Sequence, residues 1–159
     1  MLKMRIISVG KLKEKYWQAA QAEYEKMLRR FCRLEIIELA DEPTPEQPSQ
    51  AERAAVLKKE GERIRRACAG YDVVIPLAIE GQEYDSPGFA RALQQHMDVG
   101  RSICFIIGGS LGIEEAIKEE AGLLISLSRL TFPHRFARIA LLEQLFRAFK
   151  IINGESYHK

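Results

Sequence analysis

The stretch Ser102-Ile103-Cys104-Phe105-Ile106-Ile107-Gly108-Gly109-Ser110-Leu111-Gly112 decides the fold class. Ser102 to Ile107 reads as a strand, and Ile103 to Ile107 within it is an unbroken apolar run, the pattern of a strand covered on both faces. The glycine cluster stops it, and a short helix is predicted directly after, over 113–121. Working outward, the same succession recurs on both sides. Toward the N-terminus, Met4 to Val9 reads as a strand ending at Gly10. A helix over 13–31 follows, with Tyr16, Ala20, Tyr24, Met27, Leu28 and Phe31 at helical spacing. Leu34 to Ala40 reads as a second strand, and the proline-rich 41–50 as a loop. Ser49 and Glu52 form a capping box that opens a helix to Ala69, with Ala54, Leu57, Ile64 and Cys68 as its apolar stripe and Gly61 as a weak point. Tyr71 to Ile79 is a third strand, in which Pro76 predicts a bulge or an early end, because proline cannot donate to a ladder. Glu80 begins a loop, and Ser86-Pro87 signals a helix start that runs to Asp98. Toward the C-terminus, Leu123 to Leu127 is a fifth strand and 128–133 a loop. Arg135 to Ile152 is a helix, closed by Asn153-Gly154 before the tail 155–159. Five alternations of strand and helix predict one α/β domain over residues 1–159, a mostly parallel sheet with helices on both faces.

Composition excludes several classes. With 159 residues, 47% of them hydrophobic, the chain is long enough to bury a core without disulfide or metal. No apolar run approaches the ~18 residues a membrane helix needs, and the N-terminal stretch is too short for a signal peptide. Cys32, Cys68 and Cys104 are odd in number and widely spaced, so they read as small buried hydrophobes of a reducing compartment. Charge is segregated. Residues 1–34 hold nine basic and three acidic side chains (+6), residues 35–128 nine and seventeen (−8), and residues 129–159 six and two (+4). If the two ends share a face, that face attracts a polyanion; solvated helix faces also produce such patterns.

Ligands of such sheets sit beyond the carboxyl ends of the strands, which points to the loops beginning at Glu80, Gly108 and Ser128. Gly108-Gly109-x-x-Gly112 lets backbone approach a ligand, but it lacks the Lys-Ser/Thr of a P-loop and the spacing of a dinucleotide fingerprint. It also fits a tight strand-to-helix turn. No nucleophile elbow and no metal-binding spacing occurs. Of the histidines, His96 reads as solvated and His134 as a loop or capping residue, while His158 lies in an aromatic, basic tail. The loop after the first strand lacks a phosphate-cradling run, which disfavours a flavodoxin-like redox protein.

In order, the chain presents Ser8-Val9-Gly10-Lys11, Phe105-Ile106-Ile107-Gly108-Gly109-Ser110-Leu111-Gly112, and Leu127-Ser128-Arg129-Leu130-Thr131-Phe132-Pro133-His134. Arg138, Glu143-Gln144-Leu145-Phe146-Arg147-Ala148-Phe149 and Tyr157-His158-Lys159 follow. This combination resembles the ribosomal RNA large subunit methyltransferase H family, of the SPOUT class, over essentially the whole chain. The resemblance implies a C-terminal trefoil knot and a cytoplasmic homodimer. It implies S-adenosylmethionine as methyl donor, no metal, and no membrane or DNA partner. The implied reaction is methylation of N3 of a pseudouridine in 23S ribosomal RNA of the assembled ribosome. Carried onto matching positions, the cofactor contacts are Leu77, Gly108, Leu127, Ser128, Arg129, Leu130, Thr131 and Phe132. Pro76, just before Leu77, departs from the family pattern.

The residue chemistry fits these expectations. Leu77, Leu127, Leu130 and Phe132 supply apolar walls for a flat base, and Gly108 leaves room for the ligand. Removing the imide proton of a pseudouridine calls for a base or a nearby cation, for which His158, Tyr157 and Arg138 are the catalytic candidates, with Lys159 beside them. In a dimer the tail could complete the opposite subunit's site. The last helix, with Leu141, Leu142, Leu145, Phe146 and Phe149, has more apolar width than one buried stripe needs, which suggests a partner surface. The competing reading is a non-catalytic nucleotide-binding or ribosome-associated module.

Overall fold

The computed structural model describes all of residues 1–159. Its strands are β1 (Leu2–Val9), β2 (Cys32–Leu39), β3 (Val73–Glu83), β4 (Ile103–Ile107) and β5 (Ile125–Ser126). Its helices are α1 (Lys15–Leu28), α2 (Gln50–Cys68), α3 (Ser86–Asp98), α4 (Glu115–Glu120) and α5 (His134–Ile152). The strands form one sheet in the order β2-β1-β4-β3-β5, with every pairing parallel. The apolar run Ile103 to Ile107 becomes β4, whose five residues are all buried.

Alternation along β4 sends its side chains to two separate cores. Ile103, Phe105 and Ile107 join Met4 and Ile6 beneath α1, α3 and α5, with Leu28, Phe89, Leu93, Leu141, Leu142 and Leu145. Cys104 and Ile106 join Ile7 and Val9 beneath α2 and α4, with Ile64, Ile113 and Ile117. Helices therefore cover both faces. The loop after β1 leaves toward α1 on one face, and the loop after β4 toward α4 on the other. Between two neighbouring strands whose loops part this way a crevice opens, the usual ligand position in α/β sheets.

Pro76 has the predicted effect. It is the last residue of β3 paired with β4, opposite Ile106. Beyond it β3 turns to β5, pairing Leu77 and then Gln82 with Ile125, so Ala78 to Gly81 bulge out between the two. The strand continues to Glu83, past the loop expected from Glu80, and β5 is only two residues long rather than five.

Several local expectations are corrected. The first helix ends at Leu28 rather than 31, and Tyr16 is 67% exposed, on the rim rather than in the stripe. The capping box of Ser49 and Glu52 is present. The buried face of α2 is Val56, Glu60, Gly61 and Ile64, so of the predicted stripe Ile64 is buried, Leu57 and Cys68 are half-buried and Ala54 is exposed. Gly61 is there for space, since a Cβ would lie 2.0 Å from the Glu114 carboxylate. The cap of α3 is Asp85, whose side chain accepts from the Gly88 N–H, and not Ser86. Asp85 is a better acceptor for that orphan donor, and Pro87 still occupies the first turn, where no N–H is needed.

The apolar width of α5 has an internal explanation. Leu141, Leu142 and Leu145 are 0% exposed, and Phe146 and Phe149 are also buried. α5 runs between α1 and α3, and Phe31 stacks on Phe149 at 5.3 Å. The surplus read from the sequence is thus consumed within one chain and does not argue for a partner.

Candidate functional site

At the crevice, the carboxyl ends of β1, β3 and β4 and the loop before α5 enclose a cleft of about 670 Å³, within the usual range for small-molecule sites. Val9 and Gly10 come from β1, Leu77 to Glu80 from the β3 bulge, and Gly108 to Ile113 from the glycine loop. Leu127, Ser128, Leu130, Thr131, Phe132, Pro133 and His134 close it. Seven of the eight expected cofactor residues therefore line one cavity. Arg129 does not; it is exposed outside the cleft. Within the loop, the Ser128 hydroxyl accepts from the Leu130 N–H at 2.9 Å, and Ser126 donates to the Ser128 carbonyl at 2.9 Å.

Gly108 is required for a reason other than the expected one. A Cβ there would stand 2.5 Å from the Gly112 carbonyl oxygen and 2.7 Å from Ile113 Cγ1. The loop's own backbone occupies that space, so a larger residue clashes with the fold before it meets a ligand. Gly10 answers to the other wall. Its φ of +118° is a conformation that favours glycine, and a Cβ would lie 2.9 Å from the His134 ring.

His134 was missed as a cleft residue. It is the first residue of α5, makes no capping hydrogen bond, and packs against Gly10 with Nδ1 buried and unpartnered. Burial, and then the charges of Arg138 and Arg135, hold its imidazole below the ordinary value, so it is neutral at pH 7. Its place directly after the strand-end loop was the signal available. On the opposite rim Lys118 bonds Glu80 at 2.7 Å and Glu115 at 3.1 Å. Burial alone would lower the Lys118 ammonium, but these carboxylates outweigh it and hold it raised, while Lys118 holds Glu80 below the carboxylate range.

Arg138 lines no cleft. Its side chain is fully buried beneath the first one, donating to Glu38 Oε2 at 2.7 Å, Gln21 Oε1 at 3.0 Å and the Gly10 carbonyl at 3.1 Å. It ties α5 to α1, to β2 and to the Gly10 turn, and the structure does not bring it together with the tail.

The tail docks on its own helix α5. The Tyr157 ring meets Phe146 edge-on at 4.9 Å, and its hydroxyl donates to Glu143 Oε2 at 2.8 Å. Desolvation, and then Glu143, raise the Tyr157 phenol above its ordinary value, so at neutral pH it is a protonated donor and not a base. His158 lines a second cleft of about 720 Å³, with Tyr84 to Pro87 and Phe89 on one side and Ala140, Glu143 and Gln144 on the other. Leu127 and Phe132 line both clefts, so two cavities meet at one apolar wall. Lys159 is exposed. No three His, Cys, Asp or Glu side chains gather where a metal could sit.

Outside the clefts, aromatic rings run from the wall to the surface. Phe132 meets Phe136 at 5.1 Å, Phe136 meets Trp17 at 6.0 Å, and Trp17 meets Tyr16 at 5.7 Å. Phe136 is 46% exposed. Lys11, Lys13, Lys15, Arg129 and Arg135 are exposed on the two basic ends, which the packing of α1 on α5 brings together.

Residues 2–158 match a family model described as a predicted SPOUT methyltransferase. A Streptococcus gordonii protein named ribosomal RNA large subunit methyltransferase H is 49% identical over 99% of this chain and the whole of its own length. One of the same name from Streptococcus uberis is 51% identical over the same spans. Among solved structures, a probable methylase family protein from Haemophilus influenzae superposes with a TM-score of 0.60 at 13% identity, covering all of this chain and 72% of that one. A probable methyltransferase from Bordetella pertussis does so with 0.59 at 15%, covering 93% and 95%. At those identities the solved structures speak to fold alone.

Proposed function

The chain belongs to the SPOUT methyltransferase family, and on that premise we propose that it methylates large-subunit ribosomal RNA with S-adenosylmethionine. The proposed target is N3 of a pseudouridine in 23S RNA of the assembled ribosome, in the cytoplasm. The observation that carries this reading is the pair of clefts sharing Leu127 and Phe132. A methyl donor and its acceptor must meet in line, and two cavities with one common wall suit that demand. The relatives' shared name supports ribosomal RNA as the substrate class.

The first cleft has the chemistry a nucleoside cofactor needs. Apolar side chains at Leu77, Leu127, Leu130 and Phe132 would hold a flat base, and the Gly108 to Gly112 backbone would approach the sugar closely. When bound, the cofactor supplies a sulfonium-borne methyl group that a nitrogen nucleophile takes as the bond pair returns to sulfur. The protein's own contribution is to exclude water, to orient the base, and to stabilise charge developing on the carbonyl oxygens beside N3. A looped-out nucleotide in the second cleft would have Phe132, Tyr84 and His158 around it, the kind of lining that receives unstacked RNA bases. The basic ends on α1 and α5 would meet phosphates.

The trefoil knot and the homodimer belong to the same proposal. The aromatic run of exposed Tyr16, half-buried Trp17 and exposed Phe136 supports self-association beside the cleft, a role the buried face of α5 does not fill. The test is transfer of radiolabelled methyl from S-adenosylmethionine to ribosomes lacking the modification, with the product nucleoside identified by mass spectrometry. Label on 3-methylpseudouridine is expected. A protein that binds the cofactor and the ribosome but transfers no label is instead the non-catalytic module.

A further inference from the structure

Glu143 and Arg147, one turn apart on α5, organise the tail. The Glu143 carboxylate accepts from the Tyr24 and Tyr157 hydroxyls, each 2.8 Å from Oε2, and from Arg147 Nε at 2.9 Å and Nη2 at 2.7 Å on Oε1. Desolvation and this carboxylate push the Tyr24 phenol up to about 12, so it stays a donor. So fixed, the Arg147 guanidinium lies over the Tyr157 ring, 4.7 Å from its centroid. Its Nη1 reaches 3.2 Å from His158 Nδ1.

That last contact restricts the chemistry of the histidine. A guanidinium has donors and no acceptor, so it bonds Nδ1 only through a ring lone pair. In a neutral imidazole with Nδ1 accepting, the proton sits on Nε2. We propose that Glu143 and Arg147 are positioning residues that hold His158 as its Nε2–H tautomer, so that the tail offers the second cleft a hydrogen-bond donor and not a base. The catalytic consequence rests on the methyl-transfer reading above. The N3 proton leaves to solvent water before transfer, and the negative charge left behind spreads over N3 and the flanking carbonyl oxygens; N3 would then take the methyl group as the carbon–sulfur bond pair stays with sulfur. A fixed Nε2–H stabilises that charge without taking the proton.

The test has two arms on the full-length chain. In the first, long-range 15N–1H correlation spectra of 15N-histidine protein read the tautomer, with His158 assigned by its absence in His158→Asn. The parent is expected to show the Nε2–H pattern, and Arg147→Gln to average both tautomers. A parent that already averages them or carries Nδ1–H, or an Arg147→Gln spectrum unchanged from it, overturns the proposal. In the second arm, methyl transfer to ribosomes is compared for His158→Gln, whose amide donates but takes no proton, and His158→Leu. Glutamine is expected to keep activity within about tenfold, and leucine to lose about a hundredfold or more, the range for removing one charge-stabilising donor. Equal loss in both overturns the donor role. His158 is exposed, so these variants fold even if Arg147→Gln does not. A parent inactive on ribosomes defeats the functional reading and leaves the tautomer measurement standing.

Discussion

Replacing Arg138 with methionine should cost stability before it touches chemistry. The side chain is fully buried and makes three hydrogen bonds, to Glu38, Gln21 and the Gly10 carbonyl. Breaking a buried ion pair by removing one partner costs about 3–5 kcal/mol. Here the Glu38 side chain is 33% exposed and keeps the Leu12 N–H at 2.9 Å, so water and backbone recover part of the loss. The lower end applies, about 3 kcal/mol, or a fall of about 6–12 °C in Tm for a chain of this size. Urea unfolding followed by far-ultraviolet circular dichroism measures it, with Trp17 fluorescence as a second probe. Both proteins are compared at one protomer concentration, since self-association would otherwise shift the midpoint. The pH dependence supplies a second check. Burial would raise the Glu38 carboxyl, but Arg138 and the Leu12 N–H outweigh it and hold it below the ordinary value. A carboxylate depressed in the folded state adds stability that is complete above its unfolded pKa, about 4.3. That stability is lost as pH falls through the folded value. The gap between parent and Arg138→Met should therefore narrow below about pH 4.3. A loss under about 1 kcal/mol at pH 7, or a gap unchanged down to pH 3, would refute the tie between α5 and β2.

Gly108→Val should unfold at lower temperature without any cofactor present, by about 1–3 kcal/mol, because its Cβ meets the Gly112 carbonyl; a parental melting curve would contradict this. Alkylation by iodoacetamide, followed by mass spectrometry, should reach Cys68 first. The Cys68 thiol is lowered by its contact with Cys104 at 3.7 Å, whereas Cys104 is raised by the same contact and by burial, and burial pushes Cys32 to about 12. Simultaneous labelling of all three would count against that ordering. If the chain dimerises as proposed, Phe136→Glu should sediment as a monomer at concentrations where the parent does not, and parental sedimentation of the variant would remove the aromatic run from the interface.

The α/β layering is legible because β1 and β4 are short apolar runs, α2 and α3 open on side-chain caps, and α5 ends at Asn153-Gly154. Within the unbroken apolar run Ile103 to Ile107, the pleat of the strand sends alternate residues to the two cores. Less was legible where tertiary space decides. Gly61 reads as a weak point of α2 but leaves the space that the Glu114 carboxylate fills, and β3 outruns its expected end because Gln82 and Glu83 find a partner in β5. At the site, the walls Leu77, Gly108, Leu127, Ser128, Leu130, Thr131 and Phe132 came from motif resemblance, and the cleft gathers them. His134 and Arg138 show two kinds of contact that spacing does not carry. A lone histidine at a helix start does not announce the glycine it packs against. The partner of Arg138, Glu38, lies a hundred residues away in the sequence, where no local pattern points to it.

The common wall of the two clefts has a thermodynamic consequence. Leu127 and Phe132 come from one short loop, so a ligand that fixes this loop in either cavity changes the free energy of filling the other. Such coupling is reciprocal: under the proposed function, whatever factor the donor gains in affinity from a bound RNA, the RNA gains from the bound donor. The spent donor, lacking only the methyl group, would keep most contacts with that loop and so most of the coupling. Product inhibition and RNA release should then vary together across substitutions at positions 127 to 132, a covariance that separate sites would not produce.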